Sequence, residues 1–397
     1  MVTYRAAWVL PISGRPVAGG VVSVERGVIT GVGAHEGGPV EDLGNVAVLP
    51  GLVNAHTHLE LSWMRGRVPP NTSMPAWART LMGLRRELAG APDPVEPIVE
   101  AVRAAHASGT CLLGDVTNTL AAYEPLVDSA LSAAVCAELI GFSARDPEAI
   151  VRAALERSAA LTPADRLRLS LAAHAPYSVS PALLQAIARG NAGRPLSIHL
   201  GESAQEVEFL RQGTGEWRAL LETVGAWNAD WTPPACGPVE YLERLGLVHE
   251  RLVAVHGVQF DDDDLARLAR ARATVVACPR SNRWTGAGEP PIERFYASGA
   301  RVAIGTDSLA SVDDLNLFAE VAAVRQLAPR VPASRILESA TLAGAQALGF
   351  APELGSLEPG KRAQILAVRL PADVGDVEEY LVGGVEPRDI DWLGGDA

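Results

Sequence analysis

The stretch "NAHTHLELSW", Asn54 to Trp63, sets His56 and His58 two residues apart, just after an apolar run broken by Pro50 and Gly51. Successive side chains on a strand point to opposite faces, so residues two apart share a face. On a strand, His56 and His58 point one way and Thr57 the other. Two neutral imidazoles on one face can hold one metal ion. Two polar residues closing an ordinary strand have the same spacing, so other segments must decide.

"SIHLGES" adds His199 and, three residues on, Glu202. If a helical turn starts there, the two are neighbours: His199 can ligate while Glu202 approaches metal-bound water. The competing account makes Glu202 a first-turn glutamate favoured by the helix dipole. "IGTDS" supplies Asp307, a ligand or an N-cap. "AVHGV" supplies His256, and "CPRSN" reads as a turn turning Arg280, Ser281 and Asn282 to the same side. His56, His58, His199 and Asp307 together offer N and O donors that suit one divalent metal, zinc first and ferrous iron second, with a water position open. Glu202 is then placed as acid/base and His256 as electrostatic partner, and one site accounts for all six residues.

Such a set needs a scaffold that brings strand ends together. Short apolar segments recur at "VAVLPGLVNAHTH", "TCLLGDVT", "SAAVCAELIG", "RLSLAAHAPYS", "RPLSIHLGES", "RLVAVHGV", "ATVVACPRSN" and "RVAIGTDS". Between them lie stretches of helical periodicity such as "EPIVEAVRAAHASG". Strand–helix alternation implies parallel strands. Eight units predict a (β/α)8 TIM barrel over residues 51–350, with its functional groups at the C-terminal strand ends. The segments end in His56 and His58, Asp115, Glu138, His174, His199, His256, Cys278 and Asp307, which accounts for five of the eight histidines. Residues 1–50, with the hairpin-like "GGVVSVERGVITGVG", and 351–397, with "GSLEPGKRAQILAVRL", read as turns and short strands. They are expected to fold together as a small β-sandwich domain.

Composition narrows the partners. A net charge of −13 over 397 residues argues against nucleic acid, which demands a basic footprint, and leaves a small molecule as the expected substrate. No stretch reaches the roughly 20 apolar residues that span a membrane, and the N-terminus lacks a signal-peptide pattern. Four cysteines without paired spacing suit a reducing cytoplasm.

With these residues in place, the sequence resembles the amidohydrolase superfamily, through "PGLVNAHTH", "HAPYSVS", "HLGES", "HGV", "CPRSN" and "GTDS". The tail "GSLEPGKRAQILAV" is similar to the family's closing segment, although Gln364 stands where that segment usually has Asp. The resemblance implies a metal-bearing barrel with a β-sandwich built from both termini. Some branches bridge two metals with a carboxylated lysine at the fourth strand. Here the single lysine is Lys361, near the C-terminus, and the fourth segment ends in His174, so one metal is expected. His-x-x-Glu at the fifth segment resembles the deaminase and chlorohydrolase branch, in which that glutamate shuttles protons. "HTHLELS" and "CPRSNR" look most like the aminodeoxyfutalosine deaminases of menaquinone biosynthesis. The expected reaction is hydrolytic deamination of an aminated heterocycle such as an adenine nucleoside, by metal-activated water with Glu202 as shuttle and Asp307 and His256 assisting. Relatives of that branch imply a homodimer.

Glu60, His174, Arg280 and Asn282 are candidate substrate contacts; a surface carboxylate is the competing account of Glu60, and a salt bridge that of Arg280 and Arg283. Two long connections, one with Trp63 and Trp77 and one with Trp217, Trp227 and Trp231, have the length of lids. Hydrolysis of an amide or C–halogen bond at the same metal, and a catalytically inactive barrel used for assembly, are the rival readings.

Overall fold

The Pro50-Gly51 pair divides the first apolar run between two sheets. In the computed structural model, which describes residues 1–35, 37–88 and 94–393, Val46–Pro50 joins a sheet of terminal strands and Leu52–Thr57 opens the barrel. A Cβ at Gly51 would lie 2.6 Å from the Cys111 Cβ, so glycine is what lets the chain cross here. The last four residues of the predicted 351–397 segment lie outside the described residues.

The barrel strands are β1 (Leu52–Thr57), β2 (Thr110–Thr117), β3 (Ser132–Leu139), β4 (Leu167–Ala173), β5 (Leu196–Leu200), β6 (Leu252–His256), β7 (Thr274–Ala277) and β8 (Arg301–Ile304). They pair in chain order, all parallel. Both faces are covered, which is why these strands read as apolar runs rather than as alternating patterns. The seam between β8 and β1 closes just beyond the strand ends. Asp307 N–H donates to His56 O at 3.0 Å. The Asn54 amide donates to Thr306 Oγ1 at 2.7 Å and accepts from Thr306 N–H at 3.1 Å. A Cβ at Gly305 would come within 2.9 Å of the His56 backbone, so the seam needs glycine there.

The terminal segments form two sheets. Val2–Arg5, Val21–Glu25, Val28–Gly33 and Glu41–Asp42 make the first, with a hairpin turn at Arg26-Gly27 whose positive φ values of 49° and 73° match the right-handed strand twist. The second interleaves the two ends of the chain: Trp8–Val9, Val17–Ala18 and Val46–Pro50 with Ile365–Arg369 and Ile390–Leu393. Their inner faces meet over Val9, Val22, Ile29, Val48 and Ile365. No helix among the described residues is long and apolar enough to cross a membrane.

Two helices roof the barrel mouth, α1 (Met74–Glu87) after β1 and, after β5, α3 (Gly215–Thr223), which follows α2 (Ala204–Gln212). The roof is tied across the two connections by Ser73 Oγ and Arg79, which reach Glu216 at 3.3 Å and 3.8 Å. Trp227 and Trp231 do not line the mouth. They stack on Phe142 and Phe209 with ring centroids 5.7 Å and 4.7 Å apart.

Candidate active site

Strand alternation carries His56 and His58 into the mouth, while the Thr57 hydroxyl turns to the seam and donates to Asp307 O at 2.9 Å. His199, on β5, faces both imidazoles. Its Nε2 lies 3.2 Å from His56 Nε2 and 3.3 Å from His58 Nε2. Asp307 Oδ1 stands 3.6 Å from His58 Nε2 and 3.8 Å from His56 Nε2. Donors around a tetrahedral zinc, with bonds of roughly 2.0–2.2 Å, are separated by about 3.3–3.6 Å. The donor set therefore fits one divalent ion. Burial, then the neighbouring imidazoles, holds His56 and His199 well below the usual histidine range, in the neutral form that ligates. His199 Nδ1–H donates to His174 O at 2.8 Å, which leaves Nε2 free for an ion. Asp307 is no N-cap: its Oδ2 accepts from Ser281 Oγ at 2.5 Å and Ser311 Oγ at 3.2 Å, and Oδ1 is left for the histidines.

Glu202 does not sit in a helical turn. Helix α2 begins after it, capped by Ser203, whose Oγ accepts from Glu206 N–H at 3.2 Å. The first-turn glutamate is Glu206, and its buried carboxylate accepts from Gly201 N–H at 2.8 Å and Glu202 N–H at 3.0 Å. Glu202 itself projects into the mouth, 3.6 Å from His256 Nε2. Burial, then the charges of Asp307 and Glu206, pushes its carboxyl well above the ordinary range. Burial brings His256 down to about 4, against the pull of Asp307. Asn282 Nδ2 donates to His256 Nδ1 at 2.9 Å, so the neutral ring carries its hydrogen on Nε2, toward Glu202. His256 and Asp307 both have positive φ, 78° and 62°. Such non-glycine conformations cost about 1–3 kcal/mol each and tend to mark functional sites.

His58, His199, Glu202, His256 and Asp307 form the floor of a cavity of about 520 Å³, well within the range of small-molecule sites. Its outer wall is apolar, with Met74, Trp77 and Leu81 from α1 and Trp217 and Leu221 from α3. Trp217 stacks on Tyr177 at 3.8 Å. His174 lines the cavity, with its Nδ1 held 2.6 Å from Ser178 Oγ. Glu60 also lines it but is no surface carboxylate. It accepts from Thr117 Oγ1, Thr119 Oγ1 and the Asn118 and Thr119 N–H groups at 2.6–3.1 Å, and pairs with Arg85 at 3.1 Å. Burial raises its pKa, but the Thr119 and Thr117 hydroxyls, Arg85 and the Asn118 amide outweigh that and lower it.

The "CPRSN" segment differs from the expected turn. Pro279 opens a short helix, α4 (Pro279–Thr285), which carries its side chains away from the cavity. Arg280 bonds Asp314 at 2.9 Å and lies 3.7 Å from Glu320, outside the lining. Asn282 supports His256 instead of reaching the mouth, and Arg283 pairs with Glu289 at 3.5 Å. Sequence reasoning passed over three residues that the structure puts at the site: Glu138, Asn118 and Tyr177 line the cavity. Glu138 was visible as a strand-end carboxylate. Nothing local marks the other two.

The amidohydrolase family model matches residues 47–390. The chain is 31% identical over 413 residues to a 5-methylthioadenosine/S-adenosylhomocysteine deaminase of Moorella thermoacetica, covering 97% of this chain and 90% of that one. It is 32% identical to an aminodeoxyfutalosine deaminase of Deinococcus radiodurans over 78% of this chain and 75% of the relative. A crystal structure of an adenosine deaminase from Xanthomonas campestris with bound zinc superposes with a TM-score of 0.81 at 26% identity, covering 98% and 90% of the two chains.

Proposed function

Because the chain belongs to the amidohydrolase family and is a hydrolase acting on C–N bonds, we propose that its site removes the amino group of a 5′-substituted adenine nucleoside, of which aminodeoxyfutalosine is the favoured example. The observation that carries the reading is the meeting of His56, His58, His199 and Asp307 with Glu202 and His256 beneath an apolar roof. The residues 51–350 are the catalytic domain in this proposal, and the segments 1–50 and 351–397 an accessory β-sandwich.

His56, His58, His199 and Asp307 would hold a divalent ion, which when bound would supply Lewis acidity and draw the pKa of water toward neutrality. Glu202 takes the proton of the attacking water and delivers it to the ring nitrogen beside the aminated carbon. A carboxyl raised above its ordinary range is suited to move a proton both ways near neutral pH. His256 keeps Nε2–H toward the reacting centre because Asn282 occupies Nδ1. His174 reads the heterocycle from the other side, and the apolar wall takes the 5′ substituent. Glu202, ionised again, then takes the hydroxyl proton of the tetrahedral carbon and passes it to the amino group, so that the C–N bond breaks, the C=O bond forms and ammonia leaves. Arg280 and Asn282 act in support of this arrangement, and Glu60 braces the segment after β2.

The test is ammonia release from adenosine, 5′-methylthioadenosine, S-adenosylhomocysteine, aminodeoxyfutalosine and an aminotriazine. The expected outcome is turnover of the nucleosides, highest with aminodeoxyfutalosine. Release from the triazine alone would overturn the reading.

A further inference from the structure

Glu138 is the one carboxylate of the cavity with neither a catalytic duty in the reading above nor a full set of donors among the described residues. It is next to last on β3 and 6% exposed. Its Oε2 accepts from Asn118 Nδ2 at 2.9 Å. Its Oε1 is buried and has no hydrogen-bond partner among the described residues. His199 Nδ1 stands 3.8 Å from Oε1 and already donates to His174 O. The other cavity carboxylates are accounted for. Glu60 is saturated by hydroxyls, amides and Arg85, and Asp307 faces the histidines. A buried acceptor left unmade costs about 1–3 kcal/mol, more when charged, so native proteins seldom keep one without a use.

Position says what the use is. Glu202, His256 and Asp307 gather at β5, β6 and β8. Glu138 reaches in from β3, with His174 after β4 between the two groups. A flat heterocycle with its reacting carbon at Glu202 and its edge at His174 presents its far substituent toward Glu138. Asn118 braces the carboxylate and is itself fixed through its N–H to Glu60 at 3.1 Å. An ionised carboxyl accepts only, so its partner must be a donor. A sugar attached to the ring offers hydroxyls there, whereas a free base or a triazine offers none.

We propose that Glu138, positioned by Asn118, accepts the hydroxyls of the ribose and thereby selects ribonucleosides over free bases and deoxynucleosides. This rests on the deaminase reading for its choice of probes. A hydrogen bond to a charged acceptor is commonly worth a factor of about 10 to 100 in affinity.

The experiment compares adenosine, 2′-deoxyadenosine and 3′-deoxyadenosine in the holoenzyme and in Glu138→Gln. Both kcat/KM for ammonia release and, in a Glu202→Gln background without turnover, binding by calorimetry are measured. The wild type should favour adenosine by about tenfold or more. In E138Q that preference should collapse, mainly through KM, with metal content per chain unchanged. Asn118→Ala should give a smaller loss of the same kind and stands in if E138Q does not fold. An undiminished ribose preference in E138Q overturns the proposal, and so does loss of the metal, which would make Glu138 a ligand. If no adenine nucleoside releases ammonia, the deaminase reading fails, and the calorimetry still decides the role of Glu138.

Discussion

The barrel mouth and the two-sheet terminal unit both bury polar side chains, and they treat them differently. In the terminal unit Lys361, the single lysine of the chain, is 9% exposed and fully engaged: Nζ meets Ser356 Oγ at 2.6 Å, Glu358 at 3.1 Å and Leu354 O at 3.4 Å. At the mouth and just behind it, His56 Nδ1, Glu138 Oε1 and Asn282 Oδ1 are buried without partners among the described residues. His56 and His199 crowd nitrogen against nitrogen, and two residues hold left-handed backbone. The same fold can satisfy a buried charge where structure is the only requirement. Single open polar atoms also occur away from the mouth, as at Thr110 Oγ1 and Ser158 Oγ; what sets the mouth apart is that ligating and acid/base groups crowd together there.

Breaking that contrast at its centre should give the largest effect. Glu202→Gln should lower turnover by about 100- to 10,000-fold while the metal stays bound, checked by ammonia release beside metal analysis. A variant keeping a tenth of the wild-type rate would end the shuttle assignment. Next comes His199→Ala, which removes a donor shared by two close contacts. Metal content should fall at least tenfold, and activity with it, and excess zinc should restore only part of it. Asn282→Ala acts one step removed, by freeing His256 Nδ1. Loss of a supporting partner of this kind typically costs about 10- to 100-fold, and it should appear in kcat with KM little changed.

Two smaller effects sharpen the comparison. Lys361→Met should lower the melting temperature by a few degrees and leave kcat/KM within about twofold, since the terminal unit holds no reacting group. Glu320, behind Arg280, is a buried carboxyl pushed up to about 8 by burial, against the pull of Arg280. A folded-state pKa above the unfolded value means that its contribution is whole at low pH and lost as pH rises through about 8. Glu320→Gln should therefore match the wild type near pH 5 and melt about 2 °C or more above it near pH 9. Equal melting curves at both values would remove Glu320 from the account.

The regular parts of this molecule were legible because they obey short-range rules. The period of two put His56 and His58 on one face, and parallel strands buried on both sides left apolar runs that could be read directly. The terminal strands showed themselves by alternation around glycines. What stayed hidden depended on partners far along the chain. That Glu60 is saturated, or that Glu138 keeps an open oxygen, is decided by residues 57 and 20 positions away. The "CPRSN" segment reads as a turn because Pro, Ser and Asn favour turns, whereas Pro279 starts a helix, as proline at a first helical position does. That change moved Arg280 and Asn282 behind the cavity.

The seam between β8 and β1 has a bearing on how the enzyme is made. The Thr57 bond to Asp307 joins residues 250 positions apart, and contacts of such long separation carry the greatest loop-closure entropy and form slowly. Asp307 and the paired histidines meet only across that seam. An ion held from both sides would clasp the two ends of the barrel together, and its uptake would then report that the last strand has found the first.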